Sequence, residues 1–183
     1  MAILVIGLVI FLGMHSFPHF RQQRQALIER IGEGPYKGLF SLVSLAGIAL
    51  IAWGYSRAGY DHLWAGPEWA RSLGPLFMLP ACYAFIVAGA PSNLKRLTRN
   101  PLDWSILLWA AFHLLNNGDV KSLILFGSFS AYALFNMWSS NRRDQEEPQP
   151  VPWGREAIYI VIAVVMYGAL LRFHQTLFGV AVI

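Results

Sequence analysis

Charged residues divide this chain into six long uncharged stretches: 1–20 with His counted as neutral, 38–56, 72–94, 104–118, 122–141 and 157–171. A helix needs about 20 mostly apolar residues to cross a hydrocarbon core, and four of the stretches meet that length. The other two, 104–118 and 157–171, gain a turn if Asp103 and Arg172 sit at helix ends and reach for the interface. Strands are a poor alternative, because the stretches are too long and lack period-two alternation, and lipid admits only helices or closed barrels. The pattern predicts helices near 2–20, 38–58, 72–92, 102–117, 120–140 and 156–174, forming a single all-α transmembrane bundle with no convincing internal repeat.

The connections carry their own signals. Residues 21–37 resemble a surface-lying amphipathic segment closed by Gly32-Glu33-Gly34-Pro35, with Tyr36 and Lys37 where the second helix enters the membrane. Asn116-Asn117-Gly118-Asp119 predicts a tight hairpin between the fourth and fifth helices, Gly118 taking a left-handed cap and Asp119 capping the next N-terminus. Pro75 and Pro80 predict a kink in the third helix. Residues 144–152, with three Pro, three acidic residues and two Gln, form the one linker-like stretch.

Composition agrees with the pattern: 56% of the 183 residues are hydrophobic and 13% charged, against roughly 25% charged in soluble domains. The 26 aromatic residues (12 Phe, 7 Trp, 7 Tyr) argue against disorder, and one Cys excludes a disulfide framework or a multi-Cys metal site. Cys82 reads as a small buried apolar residue. The net charge of +4 does not indicate nucleic acid, since the basic residues lie in short stretches between apolar runs. They set orientation instead. Arg21, Arg24, Arg30, Lys37, Lys95, Arg96, Arg99, Arg142, Arg143 and Arg155 fall on one side, and Arg57, Arg71, Lys121 and Arg172 on the other. Ten against four places the first side in the cytoplasm and both termini outside. The first helix reads as retained, having neither a basic residue before it nor a small-residue cleavage pattern after it.

Ionisable groups at membrane depth are costly and mark candidate function. His15, in Gly13-Met14-His15-Ser16, and His113, in Trp109-Ala110-Ala111-Phe112-His113-Leu114, are the two that qualify. Neutral imidazole is a common metal and haem-iron ligand, and Phe11, Phe17, Trp109 and Phe112 suit a porphyrin plane. The competing reading is a neutral His hydrogen-bonded at a helix interface, with the aromatics serving plain packing. Counting about 1.5 Å per residue, His113 lies ~18 Å from the cytoplasmic end of its helix and His15 ~10 Å or less from that of its own. One haem shared between them requires a tilt or an extension of the first helix past Pro18. His15 and His19 have the spacing of a two-His metal face, but Pro18 intervenes and no carboxylate is near. His62 and His174 fall near the outer interface and read as solvated. No phosphate loop, catalytic Ser motif or paired-carboxylate site is visible.

Gly13-Met14-His15-Ser16, the segment Ile31-Gly32-Glu33-Gly34-Pro35-Tyr36-Lys37-Gly38-Leu39-Phe40, and Leu108-Trp109-Ala110-Ala111-Phe112-His113-Leu114-Leu115-Asn116-Asn117-Gly118-Asp119 resemble successive motifs of the NnrU family over residues 1 to about 140. The family comprises bacterial inner-membrane proteins associated with denitrification and nitric oxide metabolism, and includes the plastid zeta-carotene isomerase. The resemblance implies haem b with His15 and His113 as axial ligands to its iron. It implies either a nitrogen-oxide or redox role, with a diatomic gas as ligand, or cis–trans isomerisation of an apolar polyene. A cofactor-free assembly or support protein is the third reading. The chain departs from the family at one place: relatives usually show Arg-His-Pro thirteen residues before the second His, whereas here Arg99-Asn100-Pro101 stands. Asn cannot titrate near neutral pH. Asn100 fits a helix N-cap followed by Pro at the first helical position, and Asn100, Asn116 and Asp119 complete the candidate residues.

Reporter fusions at residues 28, 97 and 147 should all read cytoplasmic. An external signal from any of them would overturn the topology and the depth estimates built on it.

Overall fold

The computed structural model describes residues 1–142 and 147–179. Its helices are α1 (Ala2–Ser16), α2 (Arg21–Ile31), α3 (Glu33–Arg57), α4 (Gly74–Ala88), α5 (Leu94–Leu97), α6 (Pro101–Asn116), α7 (Val120–Asn141) and α8 (Trp153–Phe178). Short 3-10 turns cover Phe17–His19 and Glu68–Leu73. No strand ladder occurs among the described residues, where an isolated bridge pairs His62 with Asp119. The all-α, multi-pass membrane class is the one the apolar runs predict. Five spans, 2–19, 33–57, 68–88, 120–141 and 153–178, are long and apolar enough to cross a bilayer. The expected fourth span is α6, whose 16 residues extend about 24 Å, short of the roughly 30 Å hydrocarbon core.

Element boundaries shift where Pro and Gly act. α1 stops at Ser16 because Pro18 turns the next three residues into a 3-10 turn, so the helix does not extend past Pro18. Gly32, at φ 86° and ψ 157°, occupies a backbone region closed to other residues. It divides α2 from α3 so sharply that α3 begins at Glu33, with Pro35 in its first turn, where a missing N–H costs nothing. The third span starts earlier than expected, with Pro67 preceding the 3-10 turn and Pro75 opening α4. Pro80 lies inside α4. Of the expected linker, residues 147–152 carry no helix, while 143–146, including the basic Arg143, lie outside the described residues.

The chain forms two compact units, residues 1–64 with 118–128, and residues 65–117 with 129–179. In the first, α1 and α3 run antiparallel, with residue 4 against 54, 7 against 51 and 11 against 47. Glycines set that approach. A Cβ on Gly7 would stand 2.6 Å from the Ile51 amide nitrogen, one on Gly47 would stand 2.9 Å from the Phe11 Cβ, and one on Gly54 would overlap the Leu4 backbone. Leu4, Leu8 and Ile51 are buried along this seam. Small residues are the means by which helices in lipid gain close van der Waals contact, since no hydrophobic effect drives them together there.

The first unit also contains the start of α7. Asp119 caps it as expected: Oδ1 accepts the Ser122 N–H at 3.1 Å, and the Ser122 hydroxyl, which bonds Asp119 Oδ2 at 2.7 Å, lies 2.9 Å from the Tyr55 hydroxyl. Gly118, however, does not adopt a left-handed conformation. It is glycine because the Trp64 carbonyl occupies the space a Cβ would need, and its own carbonyl accepts from the Leu63 and Trp64 amides at 2.7 and 3.1 Å.

In the second unit α4 packs against α6 and α8 over a core of small side chains: Ala81, Cys82, Ala84, Ala110 and Ala163. Cys82 is buried, as its neighbours predict. α6 and α7 form the expected antiparallel pair, tied within this unit at Asn100–Asn141, Asp103–Asn136 and Trp109–Phe129.

Gly54→Leu should destroy the α1–α3 seam, because overpacking a closed interface costs about 1–3 kcal/mol and more where backbone must move. Gly13→Ala, which meets nothing within 4 Å, should be tolerated. Thermal unfolding of the two variants in the same detergent checks the pair; equal behaviour would show that the glycine seam does not hold the unit.

Candidate functional site

His15 lies in the last turn of α1, half-buried. Its Nδ1–H donates to the Phe11 carbonyl four residues earlier at 2.8 Å. The ring lies 4.1 Å from that of Phe11 and 5.2 Å, edge-on, from that of Phe40 on α3. His113 repeats the arrangement in the second unit. It lies in the last turn of α6, half-buried, and its Nδ1–H donates to the Trp109 carbonyl at 2.7 Å. Trp109 and Phe112 flank its ring at 5.4 and 5.7 Å. A carbonyl can only accept, so each bond places the proton on Nδ1 and the lone pair on Nε2, which makes Nε2 the nitrogen able to ligate a metal. Of the four aromatics expected around the histidines, Phe11, Trp109 and Phe112 make these ring contacts.

Two expectations about neighbouring residues are corrected. His174 is not solvated: it is half-buried on α8, stacks on His113 at 6.5 Å with an interplanar angle of 20°, and lies 4.9 Å from the Phe178 ring. α8 crosses this level as a continuous helix to residue 178, which carries His174 back onto α6. His62 is exposed, as predicted. Asp103 does not reach for the interface. It is 3% exposed, and both its oxygens accept from Asn136 Nδ2, at 2.9 and 2.8 Å. A carboxylate in the first turn of α6 also meets the positive end of the helix dipole.

Asn100 holds the N-cap position of α6, with Pro101 next and its carbonyl accepting the Trp104 amide at 3.1 Å, but its side chain makes no capping bond. Nδ2 donates instead to Asn141 Oδ1 at 2.8 Å, joining the start of α6 to the end of α7. The side chain is 7% exposed and borders a cavity of about 700 Å³ together with Lys95, Arg99, Asp103 and Asn136. Asn116 turns inward on its own helix, Nδ2 donating to the Phe112 carbonyl at 2.8 Å.

The sequence reading missed a buried carboxylate. Glu156, in the first turn of α8, is 2% exposed. It accepts hydrogen bonds from the Tyr83 hydroxyl, the Ser92 hydroxyl and the Asn93 amide. The Asn93 side chain then closes on the backbone before α8, Nδ2 donating to the Val151 carbonyl at 2.9 Å and Oδ1 accepting the Val151 amide at 3.0 Å. A lone acid at the threshold of the last apolar run was the available signal, but its partners lie 63 to 73 residues away.

The family described as NnrU protein matches residues 3–182, nearly the whole chain. The chain belongs to the NnrU family. Comparison with curated proteins and with solved structures returns no match. The NnrU match extends the resemblance seen in residues 1 to 140 through α8, the helix whose sequence is least distinctive.

Glu156→Ala should lower stability by about 1–3 kcal/mol, since it takes the carboxylate acceptor from the buried Ser92 hydroxyl and from the half-buried Tyr83 hydroxyl and Asn93 amide, whereas Tyr83→Phe removes one of these bonds and should cost about 1 kcal/mol. Denaturation in detergent checks the order; a Glu156→Ala protein as stable as the native one would show that the cluster does not anchor α8.

Proposed function

We propose that this NnrU protein binds haem b and that His15 and His113 supply its axial imidazoles. The observation that carries the reading is the matched pair of environments, each considered in its own unit: in the last turn of an apolar helix, a half-buried imidazole has its tautomer fixed by the carbonyl four residues earlier and its ring edged by aromatics. Among the described residues no group of three His, Cys, Asp or Glu side chains stands where it could hold a metal ion. A haem needs fewer protein ligands, because the porphyrin provides the four equatorial nitrogens. In the first unit a further group fits a bound cofactor: the Ser44 hydroxyl, one helical turn beyond Phe40 on α3, is buried without a hydrogen-bond partner.

The chain's own contribution is positional. The i−4 bonds hold the rings, and Phe11, Phe40, Trp109 and Phe112 exclude water from around them. Bound haem would supply a redox-active iron able to take a diatomic ligand or pass an electron. The NnrU resemblance favours nitrogen-oxide or redox metabolism at a bacterial inner membrane over polyene isomerisation, since Asn100 lacks the titratable ring its relatives carry at that position.

Purified in mild detergent, the protein should show a Soret band with low-spin b-type features in oxidised and reduced spectra. His15→Ala and His113→Ala should each abolish the low-spin form, while His62→Ala, and His174→Ala, which removes the ring stacked on His113, should retain it. A haem-free protein, from cells in which another b-type protein is filled, would favour the cofactor-free support role. An unchanged spectrum in either ligand variant would remove that histidine from the assignment.

A further inference from the structure

The end of the second unit where α4 and α7 finish and α6 and α8 begin is built unlike the rest of the molecule. The cavity of about 700 Å³ beside Asn100 has Lys95 and Arg99 in its wall, with Ala88, Pro101 and Leu102 supplying an apolar side. A second cavity of about 520 Å³ has Lys95 and Arg155 in its wall. Lys95, Gly89, Pro148 and Gln149 border both, so the two spaces share a wall. Three cations thus line one concave, half-apolar region, in a chain with only fourteen Lys and Arg.

A separate observation fixes the level at which this region lies. Trp104 in the first turn of α6, Trp138 in the last turn of α7 and Trp153 at the first residue of α8 are 44%, 53% and 80% exposed, and Arg142 lies 4.0 Å over the Trp138 ring. Exposed tryptophans at the ends of apolar helices mark the boundary between hydrocarbon and headgroups. The cavities therefore open at headgroup depth, on the side the basic residues assign to the cytoplasm.

We propose that these adjoining cavities bind the phosphate of a membrane glycerophospholipid through Lys95, Arg99 and Arg155, with Leu102 and Pro101 against the start of its acyl chains. Two carboxylates also face the first cavity: Asp103, held by Asn136, and Glu147, exposed at its rim. Beside three cations they select a phosphodiester whose headgroup carries its own donors, a hydroxyl or an amine, over one that presents only a quaternary ammonium. The volume is in the range of small-molecule pockets. Basic pockets between transmembrane helices on the cytoplasmic side are a recurrent way of recognising lipid phosphate. The same phosphate chemistry could reach the site on a soluble ester such as glycerol 3-phosphate, and the experiment separates the two sources.

The test is native mass spectrometry of the detergent-purified protein titrated with phosphatidylglycerol, phosphatidylethanolamine or phosphatidylcholine. The first two should remain bound under activation that strips the third. The triple variant Lys95→Gln, Arg99→Gln, Arg155→Gln should lose bound phosphatidylglycerol by about fivefold for each cation removed. The triple Arg21→Gln, Arg24→Gln, Arg30→Gln makes the same charge change on α2 and should keep it. Arg99→Gln alone alters one exposed side chain and should show the single-cation loss with an unchanged elution profile, which separates lost binding from lost folding. Equal losses from both triples, or equal retention of all three lipids, would overturn the site. Glycerol 3-phosphate that binds without lipid and blocks phosphatidylglycerol would overturn the lipid assignment.

Discussion

A polar group buried away from water must be satisfied by the chain itself. That constraint organises both units. Asp119 is met by Ser122, whose hydroxyl meets Tyr55 in turn; Asp103 is met by Asn136, and Glu156 by Tyr83, Ser92 and Asn93. Each cluster is also a joint between elements distant in sequence. Burying a carboxylate stabilises little by itself, because desolvation consumes most of what the hydrogen bonds return. Removing one partner is expensive, and that asymmetry makes each cluster a specification of which helix ends meet.

Between these polar joints the helices are held by shape. The α1–α3 seam works because Gly7, Gly47 and Gly54 let backbone meet backbone, and the α4 core works because alanines and Cys82 do so less closely. Large apolar side chains point mostly outward. On α8, Ile158, Val161, Val164 and Val165 are all exposed, an arrangement that would be a liability in water and is the natural surface of a helix facing lipid.

The membrane class and five of the six expected spans were legible because an apolar run is a local property, needing only counting, and the Asp119 cap was legible for the same reason; α6 is too short to count as the sixth. What escaped depends on partners far along the chain. Gly118 suggests a left-handed turn until Trp64, 54 positions earlier, is seen to fill the space a side chain would take. Asn100 suggests a cap until Asn141 is found within hydrogen-bond reach. His174 suggests a wet helix end, because nothing in its neighbourhood reveals that α8 returns it to α6. The glycines of the α1–α3 seam looked unremarkable among sixteen, although Gly47 and Gly54 lie two helical turns apart and so on nearly one face.

The two histidines show how one constraint serves both structure and chemistry. An imidazole on a helix in lipid has one partner whose presence is assured, the carbonyl four residues back, and both His15 and His113 take it. That bond satisfies the ring and at the same time directs its lone pair to the far nitrogen, so fixing the tautomer requires no residue from elsewhere. The aromatic at the i−4 position, Phe11 in one helix and Trp109 in the other, then limits how the ring can turn. The device occurs twice, in the last turn of α1 and in the last turn of α6, each time with aromatic rings beside the imidazole. The arrangement orients both imidazoles with the proton on Nδ1, while the amide at position 100 serves as a joint between the start of α6 and the end of α7.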